Sequence, residues 1–213
     1  QLFAAMAKGK SKAKLVTTEH STNNRRRSMW GYGCIDRWMY SRYDKIVCIS
    51  DIAKEKLLEH IGSKYQQEVL TINNGVDVQR FYVADEAPDL RLPDCFVTVM
   101  VAGFREAKDQ DTLIRAIASL PNQYQLWLVG DGVRRGALEA VIASEGVSHR
   151  VKLLGIRSDV PQVLKAADVV VMSSHWEGLS LSNIEGMSSG RPFVASDVDG
   201  LREVTKGYGV LFP

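Results

Sequence analysis

The sequence predicts an α/β fold with doubly wound parallel sheets in two domains, the first only partly present and the second truncated at its end. The main observation is an alternation, from residue 96 onward, of short apolar runs with amphipathic segments joined by short turns. The same succession of strand, helix cap and helix occurs earlier, at residues 45–60. Strands that alternate with helices pair in parallel, so both regions are predicted to be Rossmann-like.

The first domain, residues 1–80, is predicted to hold three short strands and three helices. The strands are residues 14–19, 45–50 and 67–72, and the helices are residues 2–8, 30–43 and 52–60. Ser50 and Asp51 are good N-cap residues and mark the start of the third helix. The acidic, proline-containing stretch that follows, residues 81–94, is predicted to be a linker.

The second domain is predicted at residues 95–213. Its strands are residues 96–102, 125–129, 151–155, 169–172 and 192–196, and its helices are residues 109–119, 137–145, 160–166 and 201–205. Another short helix follows the strand at 169–172 after a loop of small residues, and residues 209–212 are strand-like. The first strand is apolar throughout, which is typical of a strand buried on both faces.

The composition is that of a soluble globular protein, with 45% hydrophobic and 24% charged residues and a net charge of +2, which gives no case for nucleic acid as a partner. Cys34, Cys48 and Cys95 have no metal-ligand spacing, and so sparse a count fits a reducing compartment. No signal peptide and no apolar run near the roughly 20 residues of a membrane span are present. We expect a cytoplasmic protein, and an internal fragment, because Gln1 stands where a methionine would begin the chain.

The stretch at residues 171–190 carries the clearest sign of a ligand site. It runs from a strand through small residues into a helix, so a helix N-terminus lies at the carboxyl end of a strand, where open α/β sheets bind ligands. Free N–H groups and the helix dipole favour a phosphate there, and Gly178 and Ser180 leave it room. Glu177 and Glu185 would repel a phosphate unless they bind something else, such as sugar hydroxyls. The pattern therefore predicts a nucleotide-sugar pocket.

Each of these features also has a purely structural interpretation. Ser182 and Glu185 form an S-x-x-E capping box that could serve only to start the helix. Glu177 could be a solvated loop carboxylate, and His175 and Trp176 are more typical of packing or surface positions.

The combination of motifs favours function. Residues 177–185 read E-G-L-S-L-S-N-I-E, and residues 188–203 read S-S-G-R-P-F-V-A-S-D-V-D-G-L-R-E. Together they resemble the E-x7-E signature and its continuation in retaining glycosyltransferases of family 4, which have the two-domain GT-B fold. The resemblance implies a nucleoside-diphosphate sugar donor bound mainly by the second domain, a sugar or lipid-linked acceptor bound mainly by the first, and no metal or other cofactor. The resemblance implies that Glu177 is a catalytic residue, and it implies the same for His20 and Lys108. The donor-binding positions carried over from this stretch are Gly178, Leu179, Ser180, Leu181 and Glu185.

Lys108 lies in the loop after the strand at 96–102, within K-D-Q-D-T-L-I-R-A-I, which resembles the donor-phosphate segment of the family. A lysine there can neutralise a departing diphosphate, although a lone lysine is more often a solubility residue. The family usually has arginine five residues earlier, where this chain has Gly103. Either Arg105 supplies that charge from a shifted position or the site depends on Lys108 alone.

Two further positions follow from the resemblance. His20 ends the strand at 14–19 in T-T-E-H-S-T, where the family often has a histidine that faces the donor sugar. Ile156 follows the strand at 151–155, in the loop that holds the nucleotide base in the family. The adjacent Arg25, Arg26 and Arg27 are either a solvated loop or a basic patch that faces the acceptor or the inner face of a membrane.

Three rival functions remain at the level of sequence. A nicotinamide-dependent oxidoreductase is disfavoured, because the third glycine of G-D-G-V-R-R-G at 130–136 is one residue late for G-x-G-x-x-G, and a tight turn explains the motif without a cofactor. A GT-B sugar-nucleotide epimerase and a non-catalytic sugar-nucleotide binding protein stay open, the latter because of Gly103. The resemblance favours a transferase that retains anomeric configuration, typically in polysaccharide or glycolipid biosynthesis.

Overall fold

A computed structural model describes residues 1–10, 12–20, 32–90 and 93–213. The chain forms two units, Gln1–Asn74 and Gly75–Pro213, each with its own parallel sheet and hydrophobic core. In the described part of the chain, no helix has both the length and the apolar character needed to cross a membrane.

The first unit is a three-stranded parallel sheet in the order β1-β2-β3, with helices packed against it. Its strands are β1 (Val16–Glu19), β2 (Lys45–Cys48) and β3 (Val69–Thr71), and its helices are α1 (Leu2–Ala7), α2 (Tyr32–Tyr40) and α3 (Asp51–Ile61). Ser50 caps α3, because its side chain accepts a hydrogen bond from the Ala53 N–H at 3.1 Å. The N-cap prediction for Ser50 is therefore confirmed, and Asp51 is the first residue of the helix.

A buried cluster on α2, α3, β2 and β3 holds the first unit together. Its largest members are Met39, Tyr40, Ile46, Leu57 and Ile61. Removing such side chains from water contributes roughly 25 cal/mol for each Å² of apolar surface, which makes this cluster the main source of the unit's stability.

The second unit is a six-stranded parallel sheet in the order β6-β5-β4-β7-β8-β9. Its strands are β4 (Phe96–Val101), β5 (Tyr124–Val129), β6 (Val151–Gly155), β7 (Val169–Met172), β8 (Phe193–Ser196) and β9 (Val210–Phe212). Its helices are α4 (Val78–Tyr82), α5 (Gln110–Ser119), α6 (Arg135–Ser144), α7 (Val160–Ala166), α8 (Leu181–Ser188) and α9 (Asp199–Thr205). The strand order reverses direction between β4 and β7, which are neighbours in the sheet although two strands separate them along the chain.

The central strands are buried on both faces, as the sequence predicts for the first of them. Val99 and Met100 of β4, and Trp127 and Leu128 of β5, are each at most 1% exposed although successive side chains point to opposite faces. Only a sheet covered on both sides gives this pattern, so the apolar run requires helices on each face.

Part of the segment predicted as a linker packs onto the second unit instead. Phe81, Ala87 and Leu90 belong to that unit's core, and the Ala87 N–H donates to the Gln162 carbonyl of α7 at 3.1 Å. The apolar side chains between the acidic residues and prolines explain the difference, because they gain more from burial than an exposed linker would allow.

One helix begins earlier than its capping pattern indicates. The sequence offers Ser182 as the N-cap of a capping box with Glu185, but α8 starts at Leu181 and its N-cap is Ser180. Ser182 therefore lies inside the first turn, and the capping-box interpretation is wrong. The G-D-G turn at residues 130–134, by contrast, connects β5 to α6 as predicted.

Candidate functional site

The strand order of the second unit places two loops at its topological switch point. The loop after β4 carries residues 102–109, and the loop after β7 carries residues 173–180. Open α/β sheets bind ligands in the crevice outside the carboxyl ends of two such strands. The loops that the sequence predicts to hold Lys108 and Glu177 are therefore neighbours at the expected edge of the sheet.

Hydrogen bonds join these two loops directly. The Ser173 hydroxyl donates to the carbonyl oxygens of Lys108, at 3.1 Å, and Asp109, at 2.9 Å. The backbone N–H of His175 donates to the Ala107 carbonyl at 2.9 Å. Because Ser173 is buried, its bonds are shielded from water, and the two loops are held as one surface.

Lys108 and Glu177 form an ion pair across this junction, between Lys108 Nζ and Glu177 Oε1. The side chains are only 19% and 11% exposed, so solvent screens the pair less than an ordinary surface pair. The Ser174 hydroxyl donates to the same Oε1 atom at 2.8 Å. The structure therefore brings together the two residues that the sequence singles out most strongly, and it adds Ser174 as the group that orients the carboxylate.

Arg105 lies beside the backbone of Gly103. Its Nε atom is 3.9 Å from the position that a β-carbon on Gly103 would occupy, and its side chain forms no ion pair with any residue that the structure describes. A β-carbon at 103 would meet only ordinary van der Waals contacts, the nearest being the Asp131 carbonyl oxygen at 3.7 Å. The guanidinium therefore lies close to the position from which an arginine at 103 would extend.

The N-terminus of α8 opens the other side of the site. The Ser180 carbonyl accepts the N–H groups of Asn183, at 3.1 Å, and Ile184, at 3.3 Å, while its side chain makes no capping bond. No described residue accepts the N–H groups of Leu181 or Ser182. These donors and the positive end of the helix dipole remain available to an anion, as the sequence predicts.

Glu185 lies one turn further along α8 and is partly buried. Burial raises the pKa of its carboxyl group above the usual value, and the positive charge of Arg80 on α4 opposes the rise. A carboxylate in such surroundings gains from hydroxyl donors that replace the lost water.

Two glycines elsewhere in the second unit contact the site loops through their backbone. A β-carbon on Gly132, in the turn after β5, would lie 2.5 Å from the Phe104 carbonyl oxygen. One on Gly200, in the first turn of α9, would lie 2.7 Å from the Glu177 carbonyl oxygen. Only glycine fits at such distances. Gly132 therefore packs closely against the loop after β4, and Gly200 packs closely against the loop after β7.

Four further predicted residues differ in their exposure. Ile156 follows β6, which β5 separates from β4, and its side chain is 85% exposed. Leu179 is buried and Leu181 is exposed, on either side of the α8 cap. His20 is an exposed residue of the first unit and lies 3.0 Å from Thr18 Oγ1 through its Nε2 atom. Arg25, Arg26 and Arg27 lie outside the described residues.

Sequence reasoning missed Ser173, Ser174, Gly132 and Gly200. These residues are visible as small residues in predicted loops, but serine and glycine are common in turns for local reasons, so their presence alone does not indicate a site. Their roles depend on loops that are distant in the sequence and near only in the fold.

This arrangement can receive a ligand with a strongly anionic part and a hydroxyl-rich part. Lys108, Arg105 and the α8 N–H groups supply positive potential, while Glu177 and Glu185 accept hydrogen bonds. A parallel sheet with these groups at its topological switch point defines a doubly wound α/β protein as the class.

Comparison with known proteins identifies the family. Residues 95–213 match the family described as Glycosyl transferases group 1, and residues 1–80 match Glycosyltransferase Family 4. The chain therefore belongs to the glycosyl transferases group 1 family, and the resemblance drawn from its motifs is confirmed.

Two curated relatives illustrate the match. The lipopolysaccharide core biosynthesis glycosyltransferase LpsE of Rhizobium meliloti (strain 1021) is 35% identical over 157 residues, which are 74% of this chain and 45% of the relative. The UDP-Gal:alpha-D-GlcNAc-diphosphoundecaprenol alpha-1,3-galactosyltransferase of Escherichia coli is 29% identical over 169 residues, 74% of this chain and 41% of the relative. The chain thus spans less than half the length of these relatives.

Solved structures show the fold. The crystal structure of Anabaena Alr3699/HepE in complex with UDP-glucose has a TM-score of 0.86 and 25% identity, covering 99% of this chain and 62% of that one. WaaG, a glycosyltransferase involved in lipopolysaccharide biosynthesis, has a TM-score of 0.78 and 17% identity, covering 99% and 67%. The predicted GT-B fold, with Rossmann-like parallel sheets, is confirmed.

Proposed function

We propose that this chain is part of a glycosyltransferase that moves a sugar from a nucleoside-diphosphate sugar to an acceptor hydroxyl, without a metal ion and with retention of anomeric configuration. The observation that carries the proposal is the pairing of Lys108 with Glu177 beside the open N-terminus of α8. The cation and the free amides suit the diphosphate of a sugar nucleotide, and the carboxylate suits the hydroxyls of its sugar.

In the bound state the diphosphate lies against Lys108 and the α8 amides, and Arg105 adds charge from the edge of the loop. Glu177, held by Ser174, accepts hydrogen bonds from hydroxyls of the donor sugar, and Glu185 accepts from another hydroxyl of the donor. Gly178, Leu179, Ser180 and Leu181 form the backbone between these carboxylates. The base lies toward the carboxyl end of β6, where Ile156 is exposed.

The reaction exchanges one bond at the anomeric carbon for another. The acceptor oxygen bonds to this carbon on the face from which the diphosphate leaves, and the bond between the carbon and the diphosphate oxygen breaks with its electron pair. An oxygen of the departing diphosphate takes the acceptor proton. Lys108, Arg105 and the amides stabilise the growing negative charge through fixed positions, which costs no reorganisation during the reaction.

The acceptor is proposed to be a sugar or a lipid-linked sugar that is bound mainly by the first domain, with His20 as a catalytic residue of that domain. The names of the relatives support this proposal, since one acts in lipopolysaccharide core biosynthesis and another on a diphosphoundecaprenol-linked sugar. We therefore propose a role in polysaccharide or glycolipid biosynthesis in the cytoplasm, at the inner face of the membrane.

The proposal is tested on the full-length protein with a panel of nucleoside-diphosphate sugars. A donor that binds the native state raises the melting temperature, and a hundredfold excess over Kd corresponds to about 2.7 kcal/mol of added stability. Product analysis with the donor that binds best then establishes transfer and the anomeric configuration. Binding without transfer to any sugar acceptor would favour a non-catalytic protein, and epimerisation of the donor would favour an epimerase.

A further inference from the structure

We infer that the ion pair between Lys108 and Glu177 makes the site favour the intact sugar nucleotide over the bare nucleoside diphosphate that the reaction leaves behind. The inference rests on the proposed function. It assigns to Glu177 a second task beside contact with the sugar, namely competition with the diphosphate for Lys108.

The ion pair already occupies the cation of the site. Among the described residues, Glu177 is the one side chain that pairs with Lys108 Nζ. Ser174 holds the same Glu177 oxygen at 2.8 Å, so the carboxylate is kept against the lysine rather than free to turn into solvent. A diphosphate that binds Lys108 therefore competes with a carboxylate that the fold keeps in position.

The displacement costs more for the bare nucleotide than for the intact donor. Glu177 is only 11% exposed, and a carboxylate with so little water loses much of its stabilisation when its cation is taken away. Bare nucleoside diphosphate offers no hydroxyl to replace the lysine, and its terminal phosphate brings another negative charge close to the carboxylate. The donor sugar offers hydroxyl donors to the same carboxylate, so the loss is compensated.

This difference has a consequence for turnover. Once the sugar leaves for the acceptor, Glu177 loses its hydroxyl partners while the diphosphate still holds Lys108. Re-formation of the ion pair between Lys108 and Glu177 is then favoured, and it weakens the binding of the nucleoside diphosphate to Lys108. The pair thus acts as a built-in competitor that helps product release.

The test compares bare and sugar-bearing nucleotides in wild type and in Glu177→Gln. Dissociation constants are measured by calorimetry on the full-length protein for UDP with UDP-glucose, GDP with GDP-mannose, and ADP with ADP-glucose, and the pair that wild type binds best is used. In Glu177→Gln we expect the bare diphosphate to bind roughly three- to tenfold tighter, the range open to a partly exposed ion pair. The sugar nucleotide should bind no tighter, so its advantage over the bare nucleotide shrinks.

Glu106→Gln is the matched control. Glu106 lies two residues before Lys108, is exposed, and forms no ion pair with a described residue, so its replacement removes the same charge from the same loop without freeing the lysine. We expect it to leave the ratio of the two dissociation constants unchanged. The inference is overturned if Glu177→Gln leaves that ratio unchanged, or if Glu106→Gln shifts it equally. If wild type binds neither these pairs nor any other nucleoside-diphosphate sugar of the panel, the proposed function fails and the inference fails with it, whereas binding with an unchanged ratio refutes the inference alone.

Discussion

The backbone of Gly200 lies directly against the carbonyl group of Gly178. A β-carbon at position 200 would overlap the Gly178 carbonyl oxygen, and it would come within 2.5 Å of the Gly178 carbonyl carbon and 2.7 Å of the Glu177 carbonyl oxygen. Helix α9 therefore supports the loop that carries the carboxylate of the site, and it does so from a position where any side chain would push that loop away.

Gly200→Ala should lower turnover at least about tenfold, because the new methyl group displaces the Glu177 loop by an amount that productive geometry does not tolerate. The free energy of unfolding should change less, because alanine is favoured over glycine within a helix by about 1 kcal/mol, which offsets part of the cost of the clash. Steady-state kinetics and thermal unfolding of the same preparations measure both quantities.

Gly136→Ala is the control for this substitution. Gly136 is also the second residue of its helix, α6, but a β-carbon there would meet nothing within 4 Å. We expect unchanged turnover and equal or higher stability. Equal losses of activity in both variants would show that the close approach of Gly200 has no special role.

Lys108→Ala should reduce turnover by about 100- to 1,000-fold, the usual cost of removing one preorganised group that stabilises a leaving anion. Single-turnover kinetics with saturating donor separates this loss from weaker binding. Lys206→Ala, an exposed lysine of the same unit, should leave the rate unchanged. Near-wild-type turnover of Lys108→Ala would rule out the role given to this lysine.

Arg105→Ala should lower turnover by about tenfold, because an exposed cation contributes less than the enclosed Lys108. The double variant Gly103→Arg with Arg105→Ala should recover much of the loss, since a β-carbon at 103 meets no close contact. Both variants are assayed at saturating donor. If Arg105→Ala is fully active, Lys108 and the α8 amides carry the charge of the donor without it.

Stability should depend on pH through Glu185. Burial raises the pKa of this carboxyl group, so above the ordinary value of 4.5 the folded state holds its proton more tightly than the unfolded chain does. The free energy of unfolding therefore falls as pH rises from the unfolded pKa through the folded one. Urea unfolding between about pH 4 and pH 8 should show this fall in wild type, and Glu185→Gln should remove it.

Glu106→Gln serves as the comparison for the pH measurement, because Glu106 is exposed. Its pH profile should follow that of wild type. A profile of Glu185→Gln that also follows wild type would mean that the Glu185 carboxyl does not titrate differently in the folded state.

Most elements of the fold could be predicted from local patterns. The run at β4 and the Ser50 cap of α3 depend on neighbours in the sequence, and both are found where the pattern indicates. The capping-box interpretation of Ser182 and Glu185 was wrong for the opposite reason. The local S-x-x-E pattern favours Ser182 as the cap, but contacts from distant residues fix this helix, such as that of buried Asn183 with Thr205 at 3.5 Å.

The sequence predicts individual residues of the candidate site but not the contacts between them. Lys108 and Glu177 stand out because each lies within a motif at the carboxyl end of a predicted strand. Their pairing could not be read from the sequence, because it requires β4 and β7 to be neighbours, and nothing local to either strand specifies its partner. Gly132 and Gly200 were missed because a side chain at either position is excluded only by the backbone of a loop that is distant in the sequence.

The adjacency of β4 and β7 has a consequence for synthesis of the protein. Lys108 leaves the ribosome 69 residues ahead of the carboxylate that pairs with it. A nascent chain that ends at β6 carries the cation of the site without Glu177, Ser174 or the N-terminus of α8. Under the proposed function, donor binding by the growing polypeptide therefore has to wait until α8 has been translated, and the donor stabilises only a second unit that is already largely made.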